Sequence, residues 1–164
     1  NSDEAALKFA RKLKEMGVPL EVNDNSLTIS KPDTFKPINV KTLVFPGFAT
    51  DLGQPMSVLL TQANGMSIFE ETIYENRMGH IKYLQKMGAN IRVNDRTAII
   101  VGKTPLKGEE VTATDLRAGA AMVIAGLIAS GTTVVNEIDH ILRGYEQIVE
   151  KLTNVGAKIK IKEI

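Results

Sequence analysis

The sequence predicts an α/β fold built from repeated units, with helices inside and sheets forming an outer wall. Three observations lead there. The elements run strand, helix, strand, helix, strand, strand from Ile38, and the same order begins again at Glu109. Short patterns recur at fixed offsets: Met16-Gly17 with Val22-Asn23-Asp24 returns 71 residues later as Met87-Gly88 with Val93-Asn94-Asp95, and Thr50-Asp51-Leu52 returns 64 residues later as Thr114-Asp115-Leu116. Gly88-Ala89-Asn90-Ile91 is echoed by Gly156-Ala157-Lys158-Ile159. Self-similarity of this kind marks units that bury their apolar faces only against one another. Thirdly, Arg92 alternates with Ile91 and Val93, and Lys158, Lys160 and Lys162 alternate with Ile159 and Ile161. Strict alternation means one face packed and one in water. A doubly wound nucleotide-binding sheet reads instead as continuous apolar strands.

Each element has its own justification. Asn1 to Met16 reads as a helix: Ala6, Phe9, Ala10, Leu13 and Met16 form a stripe, Lys8, Arg11, Lys12 and Lys14 face away, and Gly17 stops it. Leu20 to Ile29 reads as a hairpin turning at Asn23-Asp24-Asn25, and Lys31 to Pro37 as a connector. Next come an extended Ile38–Phe45, a Pro46-Gly47 turn, a helix Asp51–Ala63, a strand Ile68–Ile73, a helix Arg77–Met87 and a strand pair ending at Val101. The last unit gives a strand to Ala113, a helix from Asp115, a strand Thr132–Ile138, a helix Tyr145–Val155 and a strand Lys158–Ile164. In the helix from Asp115, twelve small or apolar residues follow Arg117, so no face past that arginine is polar and burial nearly all round is expected. At about 1.5 Å per residue it is too short to span a bilayer.

Length and composition bound the rest. The 164 residues suit a single domain, 1–164, with units at about 1–30, 38–102 and 109–164. Both ends fall inside a unit, so a piece of a longer protein is expected. Twenty basic against nineteen acidic residues leave a net charge of +1, which argues against nucleic acid or a membrane surface as partner. Any anion site must therefore be local. The absence of cysteine excludes disulfides, thiolate metal sites and cysteine nucleophiles within this chain. No signal segment opens it, and a cytoplasmic location is expected.

Four charged residues stand where elements begin or end: Asp51, Arg77, Asp115 and Arg143. The plain reading of each aspartate is a helix N-cap, worth about 1 kcal/mol. The plain reading of the arginines is solvation, or pairing with Glu75 or Asp139. The functional reading rests on grouping, because equivalent positions in successive repeats tend to meet at one end. Arg77, Arg117 and Arg143 converging near helix N-termini would form a fork-shaped site for carboxylate and phosphate. His80 and His140 lack ligand-spaced acids and read as satisfied surface or loop residues. No zinc, phosphate-loop or Ser-His-Asp pattern is present, and no metal site is expected.

At these same residues the sequence resembles a known family. Phe45-Pro46-Gly47-Phe48-Ala49-Thr50-Asp51, Glu71-Thr72-Ile73-Tyr74-Glu75-Asn76-Arg77, Ala113-Thr114-Asp115-Leu116-Arg117-Ala118 and Arg143-Gly144-Tyr145-Glu146 are similar to signatures of the UDP-N-acetylglucosamine 1-carboxyvinyltransferase family of enolpyruvyl transferases. The related shikimate-pathway transferases share the fold but usually carry a different motif at Asp115. The resemblance implies two lobes, each an inside-out α/β barrel of three βαβαββ units, with this chain as most of the C-terminal lobe. The missing N-terminal lobe, a partner in the complete enzyme, would carry the loop with the general acid, and this chain would be inactive alone. The implied reaction moves the enolpyruvyl group of phosphoenolpyruvate to the 3′-hydroxyl of UDP-N-acetylglucosamine, the first committed step of peptidoglycan synthesis, with no metal or organic cofactor.

By position the resemblance makes Asp51 the base and a sugar contact, and Ile73 a backbone contact to the UDP-sugar. It places Arg77, Arg117 and Arg143 on the carboxylate and phosphate of phosphoenolpyruvate, with Asp115 ordering that cluster. Leu142 departs from the family pattern, which commonly has an acid beside Arg143. The alternative from another class is a non-catalytic repeat scaffold or binding module with merely solvated arginines.

Overall fold

A computed structural model describes residues 2–163. The chain opens with α1 (Ser2–Glu15) and a hairpin of β1 (Leu20–Asn23) and β2 (Ser26–Ile29). Of the expected stripe on α1, Ala10, Leu13 and Met16 are buried and Phe9 half-buried, while Ala6 stays exposed. The stripe therefore begins one turn later than its letters suggest.

One complete repeat follows. It comprises β3 (Asn39–Lys41), a 3-10 turn at Thr50–Leu52, α2 (Gly53–Leu60), β4 (Met66–Glu70), α3 (Ile81–Lys86), β5 (Asn90–Asn94) and β6 (Thr97–Val101). Its strands form one sheet in the order β3-β4-β6-β5. The β3–β4 pair is parallel with Val40 opposite Phe69, and β6 lies antiparallel between β4 and β5, with Ile68 opposite Ile99 and Ile91 opposite Ile100. Along β4 and β6 the residues Ser67, Phe69, Ala98 and Ile100 face inward and are buried. On β5 Ile91 is buried and Arg92 exposed, as the alternation requires, but Val93 is 41% exposed.

The next repeat supplies β7 (Glu110–Thr112), α4 (Leu116–Ile128), β8 (Val134–Asn136), α5 (Asp139–Gly144) and α6 (Ile148–Asn154), with β7 and β8 paired in parallel. The helices lie inside, as expected. Helix α2 packs on both α4 and the sheet. Its first residue has to be glycine, because a Cβ at Gly53 would sit 2.6 Å from Phe69 Cζ on β4. Small residues on α4 do the matching work: Ala118 to Met122 and Ala125 are buried. Met16, Met56, Leu60, Phe69, Leu84, Met87, Ile100 and Met122 fill the space between helices and sheet.

Several expectations need correction. Helix α4 is not buried all round, since Ile124, Leu127 and Ile128 are 38%, 39% and 46% exposed on one flank. The helix expected from Arg77 starts only at Ile81, because residues 71–80 are spent on loop contacts described below. Helix α5, which carries Arg143, had no separate signal, and α6 begins three residues later than Tyr145. No strand forms over residues 158–163, and Ile164 lies outside the described residues. Backbone groups become a strand only beside a partner, and among the described residues none lies alongside this segment.

Candidate functional site

Two helix mouths and one loop build the site. At the mouth of α4, Asp115 adopts extended backbone (φ −155°, ψ −179°), and its Oδ1 accepts from the Arg117 and Ala118 N–H groups at 2.8 and 2.9 Å. That is the N-cap the sequence suggests, and it fixes Arg117 in the first turn. At the mouth of α2 the same tripeptide behaves differently. Asp51 lies inside the 3-10 turn, the extended position belongs to Ala49, and neither that turn nor α2 has a side-chain cap. The N-cap reading of Asp51 is therefore wrong. Its carboxylate is released from the backbone and turned towards the arginines.

Arg117 Nε donates to Asp51 Oδ1, and Arg77 Nη1 approaches the same oxygen at 3.4 Å. The Arg117 and Arg77 side chains are 34% and 16% exposed and that of Asp51 62%, so the group is open to solvent on the aspartate side. The Arg117 hydrogen bond and charge, joined by Arg77, hold Asp51 below the usual carboxylate range against a smaller opposing effect of burial. The same contact raises Arg117. Arg77 does not pair with Glu75, which instead meets Arg96 at 2.9 Å.

Arg77 is oriented by more than Asp51. Its Nη1 donates to Thr50 Oγ1 at 2.8 Å, and its guanidinium lies 4.0 Å from the centroid of the Tyr74 ring. Arg77, Tyr74, Asn76, Asp95 and Arg96 also border a hollow of about 580 Å³. Arg143 stands apart by contact but not by place. Helix α5 packs on α4 so closely that a Cβ at Gly119 would lie 2.5 Å from Ile141 Cγ1, and one at Gly144 would lie 2.2 Å from Leu116 Cδ1. The backbone next to Arg143 thus abuts the residue next to Arg117. Its own side chain is exposed and makes no ion pair among the described residues, with Asp139 or otherwise, and Leu142 beside it is 43% exposed. The structure therefore brings Asp51, Arg77 and Arg117 into contact, sets Asp115 beneath Arg117, and leaves Arg143 at the rim.

Sequence reasoning missed the support under this group. Glu71 is 2% exposed, yet it is a carboxylate. It accepts from Thr42 Oγ1 at 2.9 Å, Thr50 Oγ1 at 2.7 Å, and the Ile73 and Tyr74 N–H groups at 2.9 and 3.2 Å. Burial disfavours its charge, but these hydrogen bonds outweigh that and leave its pKa below the ordinary value. A signal existed: Glu70 and Glu71 are adjacent at the end of an apolar strand, so one of them must point inward. His80 is also not a surface residue. It is 1% exposed, hydrogen-bonded to Ser57 Oγ at 2.7 Å, and pushed down to about 4 by burial against the pull of Asp115 and the Arg77 backbone. His140 is exposed, as expected.

Comparison with known proteins identifies the family. Residues 1–152 match the family described as EPSP synthase (3-phosphoshikimate 1-carboxyvinyltransferase). The chain is 49% identical over 148 residues to UDP-N-acetylglucosamine 1-carboxyvinyltransferase 2 of Listeria monocytogenes, covering 90% of this chain and 35% of that protein. It is 51% identical over 153 residues to the protein of the same name from Shouchella clausii, covering 93% and 36%. The chain thus spans about a third of the length of the curated relatives it matches. Among solved structures, the enolpyruvyl transferase NikO from Streptomyces tendae superposes with a TM-score of 0.87 at 28% identity, over 94% of this chain and 36% of that one. EPSP synthase from Acinetobacter baumannii shares the fold with a TM-score of 0.68 at 20% identity, over 97% of this chain and 37% of its own. By sequence and by its helix-filled, sheet-walled architecture, the chain belongs to the EPSP synthase (3-phosphoshikimate 1-carboxyvinyltransferase) family of enolpyruvyl transferases.

Proposed function

We propose that in the full-length protein this chain supplies half of an active site that transfers the enolpyruvyl group of phosphoenolpyruvate to the 3′-hydroxyl of UDP-N-acetylglucosamine, releasing phosphate. This is the committing step of peptidoglycan synthesis, carried out in the cytoplasm, with the chain as most of the C-terminal lobe. The observation that carries the reading is the meeting of Arg77 and Arg117 on the Asp51 carboxylate at the mouth of α4. Two guanidiniums aimed at one carboxylate oxygen are equally able to grip a carboxylate or phosphate from a substrate. The choice of acceptor sugar is supported by the names of the relatives near 50% identity.

In this mechanism Arg77, Arg117 and Arg143 hold the phosphate and carboxylate of phosphoenolpyruvate, Asp115 keeps Arg117 in place, and the Ile73 backbone contacts the UDP-sugar. A proton from an acid outside this chain joins C3 of phosphoenolpyruvate. The 3′-oxygen bonds to C2 while its proton passes to Asp51. The tetrahedral intermediate then loses phosphate from C2 and a proton from C3, restoring the vinyl group. Asp51 is a poor base while two arginines neutralise it, since the charged form is already stabilised. An anionic substrate competes for those same guanidiniums, so loading phosphoenolpyruvate frees the carboxylate for its task. Fixed positive charge also stabilises the anion that develops on the leaving phosphate.

Phosphate release from the full-length protein tests the reading. Turnover is expected with phosphoenolpyruvate plus UDP-N-acetylglucosamine. Turnover with 3-phosphoshikimate instead would assign the shikimate-type reaction, and turnover with neither acceptor would favour a scaffold. Asp51→Asn should lower kcat by about a hundredfold or more, the usual scale for a lost general base, and Arg117→Ala by about a hundredfold or more, the scale for a lost charge-stabilising donor. Near-normal kcat in either variant would show the assigned roles to be wrong.

A further inference from the structure

We propose that Glu71 is a positioning residue for this site, its buried carboxylate fixing the direction of two threonine hydroxyls so that one holds the Arg77 guanidinium and the other the loop at Ile73. The inference rests on the reading of Arg77 and Ile73 as substrate contacts. An ionised carboxylate accepts hydrogen bonds and donates none. Each hydroxyl touching Glu71 must therefore spend its single proton there, which leaves only its lone pairs for other neighbours. At Thr50 those lone pairs receive Arg77 Nη1 at 2.8 Å. At Thr42 they receive the Thr72 N–H at 2.9 Å, while Thr72 Oγ1 donates back to the Thr42 carbonyl.

Glu71 Oε1 also collects the Ile73 and Tyr74 N–H groups directly. One carboxylate thus ties together the chain just after β3 through Thr42, the turn that carries Asp51 through Thr50, and the loop that carries Ile73 and Arg77. Among the hydrogen bonds of the described residues, no other side chain joins all three. Glu71 stands in the wall of the hollow beside Arg77 with only 2% of its surface exposed, so it acts through its neighbours and not on substrate.

The relay makes a graded set of variants informative in the full-length protein. In Glu71→Gln the amide oxygen can still accept the Ile73 and Tyr74 N–H groups, but the amide nitrogen cannot accept from Thr50. The Thr50 hydroxyl is then free to turn its proton towards Arg77. Thr50→Val removes that hydroxyl, and Thr50→Ser keeps it. A hydrogen bond to a charged group is worth about tenfold or more in an equilibrium. Glu71→Gln and Thr50→Val should each raise KM for phosphoenolpyruvate by about tenfold with a smaller change in kcat. Thr50→Ser should stay within about twofold of the parent. The double variant should be no worse than Glu71→Gln alone, because both cut the same relay.

Assays run well below each variant's melting temperature separate this from a merely stabilising role, which would leave KM unchanged. Unchanged KM in Thr50→Val, or fully additive losses in the double variant, would overturn the inference. If Glu71→Gln does not fold, the Thr50→Val and Thr50→Ser pair decides by itself. Calorimetric titration with phosphoenolpyruvate needs no turnover. A parent protein that binds it but turns over no acceptor would refute the proposed reaction, while the Thr50 variants would still test the relay by affinity.

Discussion

At the scale of single residues, charge here is governed by what each group touches. Asp51 and Glu71 are both carboxylates held ionised, but for different reasons: one by arginines in a half-open site, the other by hydroxyls and backbone amides underneath it. His80 shows the opposite effect, since burial keeps it neutral. Its folded pKa lies below that of the unfolded chain, so acid favours the unfolded state, which binds the proton more readily. Stability should therefore fall as pH drops from about 6.5 to about 4, by on the order of 3 kcal/mol from this residue. Urea unfolding at a series of pH values should show that slope, and His80→Gln should flatten it. A slope unchanged in the variant would mean that other groups carry it. None of this was legible from the letters around His80, because burial of an isolated histidine depends on contacts from distant segments such as Ser57.

At the scale of elements, the repeat was legible and its joints were not. The order of strands and helices followed from hydrophobic period and turn residues, and α4 with its cap followed from Thr114-Asp115. The error at Asp51 came from applying one local rule to a recurring tripeptide. Whether an aspartate caps depends on where the backbone leaves extended geometry; here the chain inserts a turn before Gly53, which Phe69 then presses upon. A stability comparison follows. Asp115→Ala should cost about 1 kcal/mol through loss of the cap. Asp51→Ala should cost roughly 0.5 kcal/mol or less, since only partly exposed ion pairs are lost. Equal losses in denaturant titrations of the two variants would return Asp51 to a capping role. Helix α5 escaped notice because its six residues carry almost no periodic signal, and packing on α4 makes it a helix.

At the scale of the whole molecule, order is distributed unevenly. The sheet β3-β4-β6-β5 and the helices beneath it hold most of the buried side chains, whereas residues 158–163 form no strand despite their alternating lysines and isoleucines. Hydrogen exchange on this chain should find Phe69 and Ile100 among the slowest amides and residues 158–163 among the fastest. In the full-length protein a partner strand for 158–163 should slow their exchange by at least about tenfold. Equal exchange in both would mean the alternation there serves no sheet. The pattern of Lys158 to Lys162 carried real information about faces, but pairing is a property of two segments and cannot be read from one.

The paired Thr-Asp-Leu segments carry a consequence for how such molecules acquire chemistry. An acidic group that closes off the helix in one of the two copies stands in the other at the right rim and with the right charge. Entering the helical turn two residues earlier, at Ala49 instead of at the aspartate, sets that group loose without changing a letter of it. New reactivity can thus be obtained from backbone timing, with the original copy left next door to hold the counter-charge in place.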